Sequence, residues 1–84
     1  MYHITYRKSA IKTLAKMPRP LSEKFTRAFA QLASEDDGGL DIKKLAGREG
    51  FRLRIGGYRA LYKKLDGMLV IEVINIGIRG DIYK

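Results

Sequence analysis

Arg52, Arg54 and Arg59 are the residues of this chain whose types and spacing invite chemistry. They lie in Phe51-Arg52-Leu53-Arg54-Ile55-Gly56-Gly57-Tyr58-Arg59-Ala60-Leu61-Tyr62, where apolar and polar positions alternate on both sides of a Gly-Gly pair. Two period-two runs flanking such a dipeptide read as strands joined by a tight hairpin. With Gly56-Gly57 as the turn, Ile55 pairs with Tyr58, Arg54 with Arg59, Leu53 with Ala60 and Phe51 with Tyr62. Side chains alternate between faces along a strand, so the three guanidinium groups share one face and Arg54 opposes Arg59. Like charges placed opposite one another destabilise a sheet, and an anionic partner would offset the repulsion. The competing account is that the arginines are the solvated face of an antiparallel sheet.

The rest of the chain must supply elements that hold this hairpin. Tyr2, Ile4 and Tyr6 alternate with His3 and Thr5 as a short strand. Ser9 could cap a helix carrying Ile11, Leu14 and Ala15, which Pro18 ends. Pro20 suits the first turn of a second helix, on which Leu21, Phe25, Ala28, Phe29 and Leu32 form one apolar stripe. Two antiparallel helices joined at the Pro-x-Pro corner follow. Glu35-Asp36-Asp37-Gly38-Gly39 opens a long connection in which Leu40, Ile42 and Leu45 tack the chain to the core. After the hairpin, Asp66-Gly67 reads as a type I′ turn pair. Leu69 to Ile76 is apolar enough for a strand buried on both faces, ended by Gly77. This register places Glu72 opposite Leu61, as a charge partner for Arg52. The expectation is an α+β fold: an N-terminal strand, a two-helix hairpin, then a three-stranded antiparallel meander, with both helices on one sheet face. The opposite face keeps the arginines as a basic surface. Tyr58 and Tyr62 project with Phe51 towards the helices.

Length and charge narrow the function classes. At 84 residues the chain is expected to be one domain, 1–84. It has no cysteine and one histidine, which excludes a disulfide framework and the common zinc arrangements; neither metal nor cofactor is expected. His3, far in sequence from the arginines, reads as structural. Met1–Tyr6 lacks the layout of a signal peptide, and no apolar run reaches the ~20 residues of a membrane span, so a cytoplasmic chain with no membrane partner is expected. The net charge is +8. Through Ile42 there are seven basic and five acidic residues, and from Lys43 onward ten and four. The excess thus accompanies the hairpin, and fits nucleic acid or an acidic protein as partner. Lys43, Lys44 and Arg48 either widen the basic surface or are simply solvated.

Lys44-Leu45-Ala46-Gly47, Phe51-Arg52-Leu53-Arg54, Gly57-Tyr58-Arg59-Ala60-Leu61-Tyr62 and Ile76-Gly77-Ile78-Arg79-Gly80-Asp81-Ile82-Tyr83, in this element order, resemble the RelE/ParE superfamily of toxins. The resemblance spans almost the whole chain and is most specific where G-Y-R-x-x-Y is combined with a terminal Gly-x-Arg-x-x-x-Tyr. Members are the toxin halves of type II toxin–antitoxin modules. The RelE branch cleaves mRNA in the ribosomal A site, whereas the ParE branch poisons DNA gyrase and lacks the RNase residues. RelE-type sites combine two basic residues on one hairpin strand, an arginine on the next, an arginine after the last strand and a near-terminal tyrosine. Arg52, Arg54, Arg59, Arg79 and Tyr83 match that set, so the RNase branch is expected, with gyrase inhibition as the alternative.

The resemblance also implies roles. In the implied cleavage a 2′-hydroxyl attacks the adjacent phosphate and the 5′-oxygen leaves, building negative charge on phosphoryl oxygens that guanidinium groups stabilise. Arg59 and Arg79 clamp the phosphate, and Tyr83 stacks on a base, orients the 2′-hydroxyl or relays a proton. Arg52, Arg54, Lys43, Lys44 and Arg48 hold mRNA or rRNA phosphates. The best-known relatives carry lysines where this chain has Arg52 and Arg54. Arginine keeps its proton, which implies a mechanism dominated by orientation and electrostatics. The implied partners are a cognate antitoxin, the ribosome with its rRNA and mRNA, and operator DNA only jointly with the antitoxin. The chain stops one residue past Tyr83, so occlusion of the basic face, not displacement of a C-terminal helix, is the expected mode of neutralisation.

Overall fold

The computed structural model describes residues 1–78. The elements run β1 (His3–Tyr6), α1 (Lys8–Lys16), α2 (Arg19–Ala33), β2 (Asp41–Lys44), β3 (Phe51–Ile55), β4 (Tyr58–Leu65) and β5 (Val70–Ile78), with a 3-10 turn at Asp66–Met68. One mixed five-stranded sheet has the order β1-β5-β4-β3-β2. β1 is parallel to β5 and all other neighbours are antiparallel. This is the expected α+β class with two additions. The long connection contributes β2, and β1 joins the meander beside β5.

The helices begin and end on local chemistry. Pro18 follows the C-cap residue Met17, and Pro20 falls in the first turn of α2, where a missing N–H costs nothing. Ser9 does not cap α1. Arg7 is the N-cap and makes no side-chain cap bond, while the Ser9 hydroxyl donates to the Ile74 carbonyl at 2.9 Å. The apolar stripe of α2 buries Phe25, Ala28, Phe29, Leu32 and Ala33. α1 packs on β5 and α2 reaches both β1 and β3. Their shared core takes Leu53, Ala60, Tyr62, Ile71, Val73 and Ile76 from the sheet. Phe29 meets Tyr6 and Tyr62 edge-on, at 6.1 and 5.5 Å between ring centroids, and Tyr62 stacks on Phe51 at 5.4 Å. Tyr58 is partly buried against the same core.

The hairpin register is the expected one: Ile55–Tyr58, Arg54–Arg59, Leu53–Ala60 and Phe51–Tyr62. Gly56 turns with φ +59° while Gly57 keeps a negative-side backbone, the pattern of a type II′ turn. The β4–β5 connection departs from expectation. It is a 3-10 turn closed by Leu69 in the left-handed region (φ 54°), in place of a two-residue Asp-Gly turn. The register also shifts between Leu61 and Tyr62, which face Asn75 and Val73, so Ile74 is an extra residue in β5. Such a bulge re-phases the side chains beyond it: Ile71 and Val73 point to the core before it, and Ile76 after it. The Ser9 contact engages the Ile74 carbonyl, and the Asn75 side chain accepts from the Ile76 N–H at 3.0 Å. The longer β4–β5 turn, which precedes the bulge, sets Glu72 opposite Lys63, and Glu72 accepts from Arg7 Nε at 3.2 Å; it is not the partner of Arg52. β5 also runs through Ile78, past Gly77.

Candidate functional site

Cross-strand register arranges the helix-free face in rungs. One runs Asn75, Leu61, Arg52, Lys43 and the next Gly77, Arg59, Arg54, Asp41. The hairpin therefore brings Arg52, Arg54 and Arg59 together, with Arg54 and Arg59 directly opposed. Leu61 lies on this face, is 1 % exposed and stands outside the helix-side core. The row of Arg52, Leu61 and Asn75 is thus packed, and the Arg52 side chain is only 16 % exposed. Arg54 is half exposed, and Arg59 is partly buried.

The charge partner of the arginines is Asp41, which the sequence reading missed. One carboxylate oxygen accepts from Arg52 Nη2 at 3.2 Å and the other lies 3.7 Å from Arg54 Nε. The available signal was the alternation of Leu40 and Ile42 with Asp41 and Lys43, a four-residue strand hidden in a charged connection. Arg52 Nε is buried and has no hydrogen-bond partner among the described residues. Guanidinium groups held this way on an open face bind oxyanions through paired N–H donors.

The expected phosphate-binding lysines extend this surface to one side. Lys43, Lys44, Arg48 and Arg52, with Leu45 and Ala46, line a cavity of about 300 Å³ at the β2–β3 end. Lys43 opposes Arg52, whereas Lys44 opposes Phe51 and so belongs by alternation to the helix side. Arg79 and Tyr83 lie outside the described residues. His3 pairs with Val70, which in turn opposes Leu65, at the end of the sheet away from the Arg59–Gly77 rung. Arg7 and Glu72 form a second ion pair near that end, beside Thr5 and Lys63.

Phenol shifts mark packing and one side-chain hydrogen bond. Burial, with a smaller contribution from Asp37, pushes Tyr62 up to about 12. Burial also raises Tyr6. Tyr2 is raised chiefly because its hydroxyl donates to the Asp66 carboxylate at 2.6 Å. Among the described residues there is no group of three or more His, Asp or Glu that could hold a metal ion. No described helix is long and apolar enough to cross a membrane.

Comparison with known proteins identifies the family of the chain. A RelE-like toxin protein of Escherichia coli is 26 % identical over 87 residues, covering 98 % of this chain and 90 % of that protein. A chain of the intact E. coli RelBE toxin–antitoxin complex superposes with a TM-score of 0.78 at 22 % identity, over 93 % of this chain and 96 % of that one. The archaeal RelE–RelB complex from Pyrococcus horikoshii gives 0.75 at 25 % identity, over 95 % and 97 %. The family model described as the ParE toxin of type II toxin–antitoxin systems, parDE, matches residues 4–83. The chain therefore belongs to that ParE toxin family, within the RelE/ParE superfamily of type II toxin–antitoxin toxins.

Proposed function

We propose that this toxin is a ribosome-dependent mRNA endoribonuclease. The observation that carries the reading is the convergence of Arg52, Arg54 and Arg59 on one helix-free face, where two arginines oppose each other at some cost to the sheet. A phosphodiester bound there offsets the repulsion. Arg59 opposes Gly77, which presents no side chain to an incoming phosphate on that side of the rung. Arg59 and Arg79 stabilise charge on the phosphoryl oxygens as the 2′-hydroxyl attacks. Tyr83 orients that hydroxyl or stacks on the adjacent base. Arg52, Arg54, Lys43, Lys44 and Arg48 track the flanking phosphates along the face and into the cavity beside it. Arginines do not exchange protons near neutrality, so the face acts by orientation and charge, and the ribosome supplies the aligned substrate.

A cognate antitoxin is the proposed protein partner, since solved relatives are toxin–antitoxin complexes. Covering the arginine face would neutralise the toxin directly. The second reading is gyrase inhibition by protein contact, favoured by the family model, which carries the ParE name. Expression of the wild type and Arg59→Ala in bacteria separates the two. The RNase reading expects protein synthesis to stop first and toxicity to vanish in the variant. Loss of plasmid supercoiling, with toxicity retained in Arg59→Ala, would establish the gyrase reading instead.

A further inference from the structure

We propose that Asp41 sets the affinity of the arginine face by occupying, with its own carboxylate, the seat between Arg52 and Arg54 that an RNA phosphate takes. The inference rests on the reading of this face as an RNA-binding surface. Each Asp41 oxygen addresses a different guanidinium, at 3.2 and 3.7 Å, as a phosphate bridging the two arginines would. The strand register fixes the match, because Asp41 opposes Arg54 and its neighbour on the same face, Lys43, opposes Arg52.

The strengths of the two contacts differ. The Arg52 side chain is 16 % exposed; among the described residues its Nε has no partner and its side-chain hydrogen bond goes to Asp41. That guanidinium needs an anion, and either Asp41 or a phosphate can serve. The Asp41–Arg54 contact is longer, and both groups are half exposed, so solvent screens it and it is weak. A carboxylate in this position is easily displaced, yet it repels an arriving phosphodiester and partly neutralises both arginines. Glu72, another carboxylate on this face, opposes Lys63 and bonds Arg7 near the far end of the sheet, so it does not contest the seat.

The test is fluorescence anisotropy of a short single-stranded 2′-O-methyl RNA, which cannot be cleaved, titrated with full-length variants over a range of salt. Asp41→Asn is isosteric and sits at an exposed edge strand; Asp41→Ser provides a second neutral replacement. Both should bind roughly three- to tenfold more tightly than the wild type at low salt, from the lost repulsion and the freed guanidinium groups. Their log–log salt dependence should steepen by about 0.7, one additional single-strand phosphate contact. Glu23→Gln makes the same change in net charge on α2 and should shift affinity less than twofold. The gain should also shrink when Asp41→Asn is combined with Arg54→Gln, because only Arg52 is then left to be freed. Binding by the Asp41 variants that is unchanged, weaker, or matched by Glu23→Gln would overturn the proposal. Absence of binding by the wild type and every variant would overturn the RNA-binding reading itself, and the proposal with it.

Discussion

Arg59 occupies the middle of its rung, between the bare backbone of Gly77 and the opposed Arg54. Its task in the proposed reaction is to meet charge that appears only in the transition state, and removing one such preorganised donor typically costs ~10²–10³ in kcat. Arg59→Ala should therefore cut ribosome-bound mRNA slower by about that factor with a smaller effect on KM, measured under single-turnover conditions. Arg59→Lys keeps the charge but loses the fork and should recover only part of the rate. Tyr62 tests packing. Its phenol is pushed from 10 to about 12 in the fold, so the folded chain retains a proton that the unfolded chain releases above pH 10. The associated stability is complete below pH 10 and is lost as pH rises towards 12. Ultraviolet titration should show a tyrosine ionising late, together with alkaline unfolding, and Tyr62→Phe should remove that component.

The elements differ in how much of themselves they wrote into the sequence. The β3–β4 hairpin was legible to the register, because strict alternation around Gly56-Gly57 admits one pairing that buries Leu53 and Ala60 and puts the arginines on the opposite face. The α2 stripe was equally plain. β5 was recognisable as a strand but not in its phase. Its run is apolar on both faces, so a bulge at Ile74 leaves no trace in the hydrophobic pattern, and the longer turn through Leu69 moved Glu72 from Leu61 to Lys63. β2 was missed because three of its four residues are charged, as suits an edge strand guarded against pairing with other chains. Missing β2 meant missing Asp41. The turn between β2 and β3 depends on Gly50, at φ +119° with the Leu45 N–H bonded to its carbonyl. A Cβ there would stand 3.0 Å from the Tyr62 carbonyl oxygen. Gly50→Ala should destabilise the fold by more than ~1 kcal/mol in urea denaturation, with the β2–β3 turn, and hence the Lys43–Arg48 cavity, disturbed first.

At the scale of the molecule, the division is between a helix-covered face that holds the core and a face, covered by none of the described elements, that holds the arginines. The net charge of +8 steers the chain towards polyanions, and the face supplies the geometry that steering alone lacks. Family membership fixes the toxin role and leaves the target as the central question, since the fold serves both branches. The most direct measurement is primer extension on an mRNA under translation by purified components, with and without ribosomes, using the wild type and Arg59→Ala. The account predicts cuts within codons that require ribosomes and disappear in the variant. Intact mRNA beside an active control toxin, or identical cuts with Arg59→Ala, would contradict it.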